Sequence, residues 1–178
     1  MDFLSLAKKR YSVRAYKKKP VEQEMIDKIL QAGWVAPTAA NLQPNKFLVL
    51  NDEQSLSKLA KGTDHHGAPL AIVVCASKTV AWVRPFDKAS MVEIDATIAT
   101  DHMMMQAEDL GLGSCWLTYF DPAVIKREFN IPDNLVPVNI LVIGYADGVP
   151  ASPERHSSAR KPLGNMVVPR IFCADVCA

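Results

Sequence analysis

The chain has 178 residues, 49% of them hydrophobic, which suits a single domain spanning 1–178 with a full core. Twenty Lys and Arg against nineteen Asp and Glu leave a net charge of +1, which argues against nucleic acid or an anionic membrane as a partner. Apolar runs such as Leu70 to Ala76 are too short to cross a bilayer, and Met1-Asp2-Phe3-Leu4 lacks the layout of a secretory signal, so a cytoplasmic location is expected.

Residues 2–10 read as a helix. Asp2 can cap it, Phe3, Leu4, Leu6 and Ala7 form an apolar stripe, and Lys8, Lys9 and Arg10 fill the last turn, where cations meet the negative end of the dipole. Arg10-Tyr11-Ser12-Val13-Arg14 follows. In an extended segment residues two apart point the same way, so Arg10, Ser12 and Arg14 share a face with two guanidinium forks and a hydroxyl. That face suits a phosphate or a carbonyl-rich ring edge; a solvated basic surface is the alternative, and is the reading for Lys17-Lys18-Lys19.

Val21 to Trp34 is helical by pattern, with Glu22 and Glu24 early and Met25, Ile26, Ile29, Leu30 and Trp34 at helical spacing. The stretch 36–45, bracketed by Pro37 and Pro44, is a polar loop with Thr38, Asn41 and Gln43 and no titratable group. It suits a neutral, planar, hydrogen-bonding ligand better than acid–base work. Phe47 to Leu50 is a short strand, Glu53 to Ala60 a helix, 62–69 a polar loop, and Leu70 to Cys75 a strand covered on both faces. Ser77 to Lys88, with Trp82, Arg84 and Phe86, fits no periodicity and suits a loop over a pocket.

Met91 to Gly111 is the longest helical stretch and is apolar on more than one face, as expected of a helix buried in the domain or at a subunit interface. Cys115 to Tyr119 reads as a strand, Pro122 to Phe129 as a helix capped by Asp121, and Val136 to Tyr145 as the last strand. From 149 to 178 a Pro-, Ser- and Arg-rich tail carries Arg155, His156, Arg160 and Lys161 and is either wrapped on a partner or partly disordered. The pattern is α+β, a sheet sandwiched by helices, not a doubly wound sheet.

Motifs for other chemistries are missing. There is no Gly-x-Gly-x-x-Gly after a strand, no P-loop and no nucleophile elbow, and His65-His66 lacks metal-ligand spacing. His102 reads as a structural histidine, and the carboxylates Glu93, Asp95, Asp101, Glu108 and Asp109 read as solvated or paired. Cys75 and Cys115 read as buried hydrophobes; Cys173 and Cys177, four apart, are read as inert, with pairing or metal binding as alternatives. Phosphate-binding arginines and amide-bearing loops without a nucleophile, metal or acid–base pair fit a protein whose cofactor does the chemistry.

Three pieces in this order resemble the nitroreductase family of flavin enzymes. They are Arg10-x-Ser12-x-Arg14 after an N-terminal helix; Ala36-Pro37-Thr38-x-x-Asn41-x-Gln43-Pro44, close to that family's Pro-Ser-x-x-Asn-x-Gln-Pro loop; and Gly111-Leu112-Gly113-Ser114-Cys115-Trp116, followed by Ile143-Gly144-Tyr145 and Arg160-Lys161-Pro162-Leu163. The resemblance implies an α+β fold with a central, mainly antiparallel sheet flanked by helices, and a homodimer with a long buried interface helix, Met91 to Gly111. FMN would sit in the interface. Arg10, Ser12 and Arg14 would hold its phosphate, ribityl chain and ring carbonyls, with Arg160 of the same subunit on the phosphate. Pro37, Thr38, Asn41 and Gln43 would come from the other subunit, and Cys115, Trp116, Leu117 and Thr118 would line the ring with backbone donors. Thr38 departs from the usual Ser but keeps the hydroxyl, Asn45 stands where an aromatic is common, and the insertion that covers the site in longer members is missing.

The implied activity is transfer of hydride from NADH or NADPH to the flavin and on to nitroaromatic or quinone-type acceptors, by a ping-pong mechanism. No residue of the chain is assigned as catalytic, because the flavin carries the chemistry. Two other readings stay open: a related flavin reaction, dehalogenation or flavin fragmentation, and a flavin-binding sensor or carrier without turnover.

Overall fold

The computed structural model describes residues 2–167; Cys173, Cys177 and the end of the tail lie outside the described residues. Four strands, β1 (Asn45–Leu50), β2 (Leu70–Ser77), β3 (Gly113–Leu117) and β4 (Leu135–Gly144), form one sheet in the order β1-β2-β4-β3, every pair antiparallel. The helices are α1 (Phe3–Lys9), α2 (Gln23–Trp34), α3 (Glu53–Leu59), α4 (Val92–Asp109), α5 (Pro122–Glu128) and α6 (His156–Ala159).

The caps explain where the helices start. Asp2 accepts from the Ser5 N–H at 3.1 Å and Asp52 from the Ser55 N–H at 2.9 Å, and Asp121 accepts from Ala123 and Val124 ahead of α5. Gly111, at φ 79°, closes α4, with the Leu112 N–H donating to the Ala107 carbonyl. Among the described residues no helix is long and apolar enough to cross a membrane.

All eight residues of β2 are buried, as expected of a strand covered on both faces. Leu70, Ile72, Val74 and Ala76 pack against α2 and α4; Ala71, Val73 and Cys75 face Leu59 of α3, Ile125 of α5, and Val13 and Tyr16. The result is a helix–sheet–helix sandwich. Pro137 lies where the β2–β4 register shifts between Val74 and Cys75, so its missing N–H interrupts no regular ladder.

Two elements differ from the sequence reading. β3 runs over Gly113–Leu117 and not Cys115 to Tyr119: it pairs with Gly144 back to Ile140, and the chain then leaves the sheet, with Thr118 and Tyr119 exposed. The stripe on α1 is only half used, since Phe3 and Leu4 are 69% and 63% exposed. Ser77 to Lys88 is a turn closed by a Val83–Ser90 bridge and an Arg84–Asp87 ion pair. The tail forms short helical turns at Pro153–Arg155, His156–Ala159 and Leu163–Asn165.

Gly113 allows the basic segment to approach β3, because a Cβ there would meet Val13 Cγ2 at 2.6 Å. Gly113→Ala is expected to destabilise the protein by about 1–3 kcal/mol, seen as a lower urea midpoint at unchanged slope. An unchanged midpoint would show that Val13 moves aside freely.

Candidate functional site

The polar residues singled out in the sequence gather in two patches. The first is the basic segment. Ser12 forms a parallel bridge with Ser114, the Val13 N–H donates to the Ser114 carbonyl at 2.9 Å, the Asp147 N–H donates to the Ala15 carbonyl at 2.9 Å, and the Lys17 N–H donates to Tyr145 at 2.9 Å. The segment is therefore extended along the outer edge of β3 and stitched to the exit of β4. Arg10 and Ser12 are half-buried and Arg14 is exposed. The Tyr16 hydroxyl donates to the Val13 carbonyl at 2.9 Å, and burial raises its pKa well above the usual phenol range.

Next to this segment, Cys115 and Leu117 point into the core, Trp116 packs half-buried against the α4 side of the sheet, and Thr118 is exposed. The side chains of Cys115 and Leu117 thus do not face a ligand, and their backbone groups turn inward to Val142 and Ile140 of β4. The Ser114 carbonyl faces outward, so by the two-residue period the backbone groups of Trp116 face the same free edge. Ser114 Oγ and Trp116 Nε1 are buried and lack a partner within the described residues. Burial pushes the Cys115 thiol pKa up, against the pull of Arg14, the Ser12 hydroxyl and Arg10. Arg160 is exposed at the end of α6.

The second patch is the loop 36–45, whose Ala39–Asn41 turn sits beside the start of α4. Ala40, Asn41 and Gln43 all have positive φ, between 51° and 55°. For residues other than glycine each such conformation costs about 1–2 kcal/mol, so surrounding contacts must hold it. Asp95 Oδ1, on the buried first turn of α4, accepts from the Ala39 N–H at 2.9 Å. Thr38 Oγ1 accepts from the Gln43 N–H at 3.0 Å, and Gln43 Nε2 donates to the Asn41 carbonyl at 3.0 Å. Asn45 Nδ2 donates to the Asp95 carbonyl at 3.1 Å, which gives this departure from the resembling pattern a packing role. Pro37, Asn41 and Gln43 are exposed. The Thr38 oxygen is engaged inside the loop, while its proton stays available.

The patches lie at opposite corners of the sheet. The loop's Pro44 carbonyl accepts from Ser77, at the far end of β2 on the β1 edge; Ser12 meets Ser114, which pairs with Ile143 and through it with Leu70, at the other end on the β3 edge. That separation is roughly 20 Å along the strands and roughly 15 Å across them. The helix α4 spans the same interval: Asp95 holds the loop, and Glu108, thirteen residues on, pairs with Lys9 of α1 at 3.2 Å. Between them runs a groove of about 800 Å³ formed by α1, α2 and α4, with Phe3, Trp34, Val35, His102 and Met105 in its wall. Phe3, Leu4, Trp34, Val35 and Ile94 are each more than half exposed, an apolar patch of the kind that marks an interface.

Two residues were not assigned a role from sequence. Asp95 resembles any helix carboxylate until its 1% exposure and its bond to Ala39 are seen. Arg155 was one basic tail residue among several, yet its guanidinium donates to the carbonyls of Lys8, Arg10 and Ser152. Among the described residues no cluster of three or more His, Cys, Asp or Glu is placed to hold a metal.

The family model for the Nitroreductase family matches residues 7–63 and 56–145. A Methanothermobacter thermautotrophicus protein, named as a candidate NADH dehydrogenase/NAD(P)H nitroreductase, is 33% identical over 82% of this chain and 78% of its own length. A nitroreductase family protein of Clostridium difficile 630 has a solved structure that superposes with a TM-score of 0.95 at 46% identity, covering 97% of this chain and all of the other. The structure of an FMN-dependent nitroreductase from Clostridium difficile R20291 superposes at 0.75 with 31% identity, over 96% of this chain and 100% of that one.

Asp95→Ala leaves the Ala39 N–H without its acceptor and is expected to lower stability by about 1–3 kcal/mol in urea unfolding, with Asp95→Asn lowering it less. Equal stabilities of all three proteins would remove Asp95 as the anchor. Iodoacetamide at pH 8 is expected to leave Cys75 and Cys115 unlabelled in the folded protein, because burial pushes Cys75 to about 11 and raises Cys115. Peptide mapping that finds either labelled as fast as in urea would contradict this.

Proposed function

This chain belongs to the nitroreductase family, and from that membership we propose a full reading of its activity. It is an oxidoreductase that uses FMN and NAD(P)H. In this reading its acceptors are nitroaromatic or quinone-type molecules, its turnover is ping-pong, it works as a homodimer, and it resides in the cytoplasm.

The donor set fits FMN. The two guanidiniums and the hydroxyl of Arg10, Ser12 and Arg14 suit a phosphate and a carbonyl-rich ring edge. The backbone edge at Trp116 and the buried Ser114 Oγ, both without a partner among the described residues, add hydrogen-bonding capacity beside them. The Asn41 and Gln43 amides and the remaining Thr38 proton suit a neutral ring. When bound, FMN would supply the redox chemistry that carries a hydride from the nicotinamide to the acceptor. Arg10 and Ser12 would hold the phosphate and ribityl chain with Arg160, and Arg14 would bring a positive charge to the ring's carbonyl edge, where a cation favours electron gain. Cys115 and Leu117 contribute the strand that carries this edge, since their side chains belong to the core and their backbone groups face β4.

The observation that carries the homodimer is the separation of the two patches. The sheet lies between the basic segment and the loop of one chain, so one FMN touches both only if a second copy brings its loop to the first copy's arginines. Pairing α4 antiparallel with its twofold mate does this, because it sets the Asp95 end of one helix beside the Glu108 end of the other. Ten of the 18 residues of α4 are buried by their own chain; Ile94, Ile98 and His102 are among those left for the mate.

Purification tests the reading: a yellow dimer bleached by NADH or NADPH is expected, and a colourless monomer without FMN affinity would overturn it. Ile94→Glu, on the exposed apolar face, is expected to give a monomer that loses its flavin. Retention of FMN by that monomer would place the whole site within one chain. Arg14→Ala is expected to weaken FMN binding about tenfold or to lower the flavin potential; unchanged flavin content and potential would remove Arg14 from the ring edge.

A further inference from the structure

The geometry points to Arg155 as a positioning residue that couples the C-terminal segment to the phosphate-facing end of the basic strand; this rests on the FMN reading of that strand. Arg155 precedes α6 and reaches back across the chain to the end of α1. Its Nη1 donates to the Lys8 carbonyl at 3.0 Å and to the Ser152 carbonyl at 2.8 Å, and its Nη2 donates to the Arg10 carbonyl. His156 Nε2 stands 3.2 Å from the same Lys8 carbonyl. Both ends of the guanidinium fork are thus engaged with backbone, so Arg155 does not face a phosphate itself.

Two of the carbonyls it meets, those of Lys8 and Arg10, lie at the end of α1, where a partner is needed. The last carbonyls of a helix have no acceptor role within it, and a cation there also complements the dipole. At α1 the last turn runs straight into Arg10, which caps the helix and begins the extended strand. Downstream, backbone bonds at Val13, Ala15 and Lys17 fix the strand. Upstream of Val13, the Arg155 bond to the Arg10 carbonyl sets the peptide plane after the Arg10 Cα, and with it the direction in which that side chain leaves. Lysine gathers its donors on one nitrogen in place of the fork and cannot reach all three carbonyls as Nη1 and Nη2 do.

This separates Arg155 from a residue that only stabilises the fold. Loss of positioning at Arg10 weakens recognition of the phosphate and leaves recognition of the ring, made by Arg14, the β3 edge and the loop, as it was. The test titrates FMN and riboflavin against the wild type, Arg155→Ala and Arg155→Lys. Arg155→Ala is expected to lose about tenfold in FMN affinity with riboflavin affinity within about twofold, and Arg155→Lys to recover part of the loss. FMN is also expected to slow amide exchange over 152–159 in the wild type and not in Arg155→Ala, because coupling is reciprocal. An equal loss for both flavins, or an unchanged FMN affinity, would overturn the coupling. If Arg155→Ala does not fold, the FMN-to-riboflavin ratio of Arg155→Lys decides alone: a lowered ratio supports the role and a wild-type ratio overturns it. A wild type without affinity for either flavin would instead overturn the cofactor reading.

Discussion

Ala96, Ala99, Met103 and Ala107 are wholly buried along α4, and this packing against the sheet fixes the position of both polar patches. The small side chains let the helix axis come close to β2 and β4. On its other flank Gly33 lets α2 approach, since a Cβ there would meet the Met103 side chain at 2.9 Å. A helix held this way acts as a ruler. Asp95 and Glu108 are thirteen residues apart on it, and at 1.5 Å per residue they stand roughly 20 Å apart. The loop hangs from the first and α1 from the second, so their separation is a property of the core.

The sheet divides the same labour crosswise. Its two inner strands, β2 and β4, carry the core, and each edge strand carries one patch. The basic segment covers only the start of the β3 edge, through the Ser12–Ser114 bridge, and among the described residues nothing pairs with the remainder. At the other corner, the strained loop has its Ala39, Gln43 and Pro44 backbone groups tied down from inside, while Asn41 and Gln43 stay exposed. In both places a rigid element bears the backbone and leaves polar groups free for a ligand.

Much of this was legible in the sequence because it is local. Asp2 and Asp121 announce helix starts by chemistry that acts within three residues, and the unbroken apolar run at Leu70 announces a strand covered twice. The alternation of Arg10, Ser12 and Arg14 and the Pro-bracketed loop were visible for the same reason. What was not legible depends on partners far along the chain. Asp95 acquires its meaning from Ala39, 56 residues away. Arg155 acquires its meaning from Lys8 and Arg10, so the composition of the basic tail gave no hint of the bracket. The position of β3 outside β4 is likewise a matter of which edge was left open, and no residue of β3 encodes it.

The bracket at Arg155 also orders the events of biosynthesis. The guanidinium that sets the Arg10 carbonyl follows it 145 residues later. Ser114, Tyr145 and Asp147, which hold the rest of the segment, also come late. The basic segment therefore waits for partners made far downstream of it, and the phosphate end of the site closes only when Arg155 reaches Arg10.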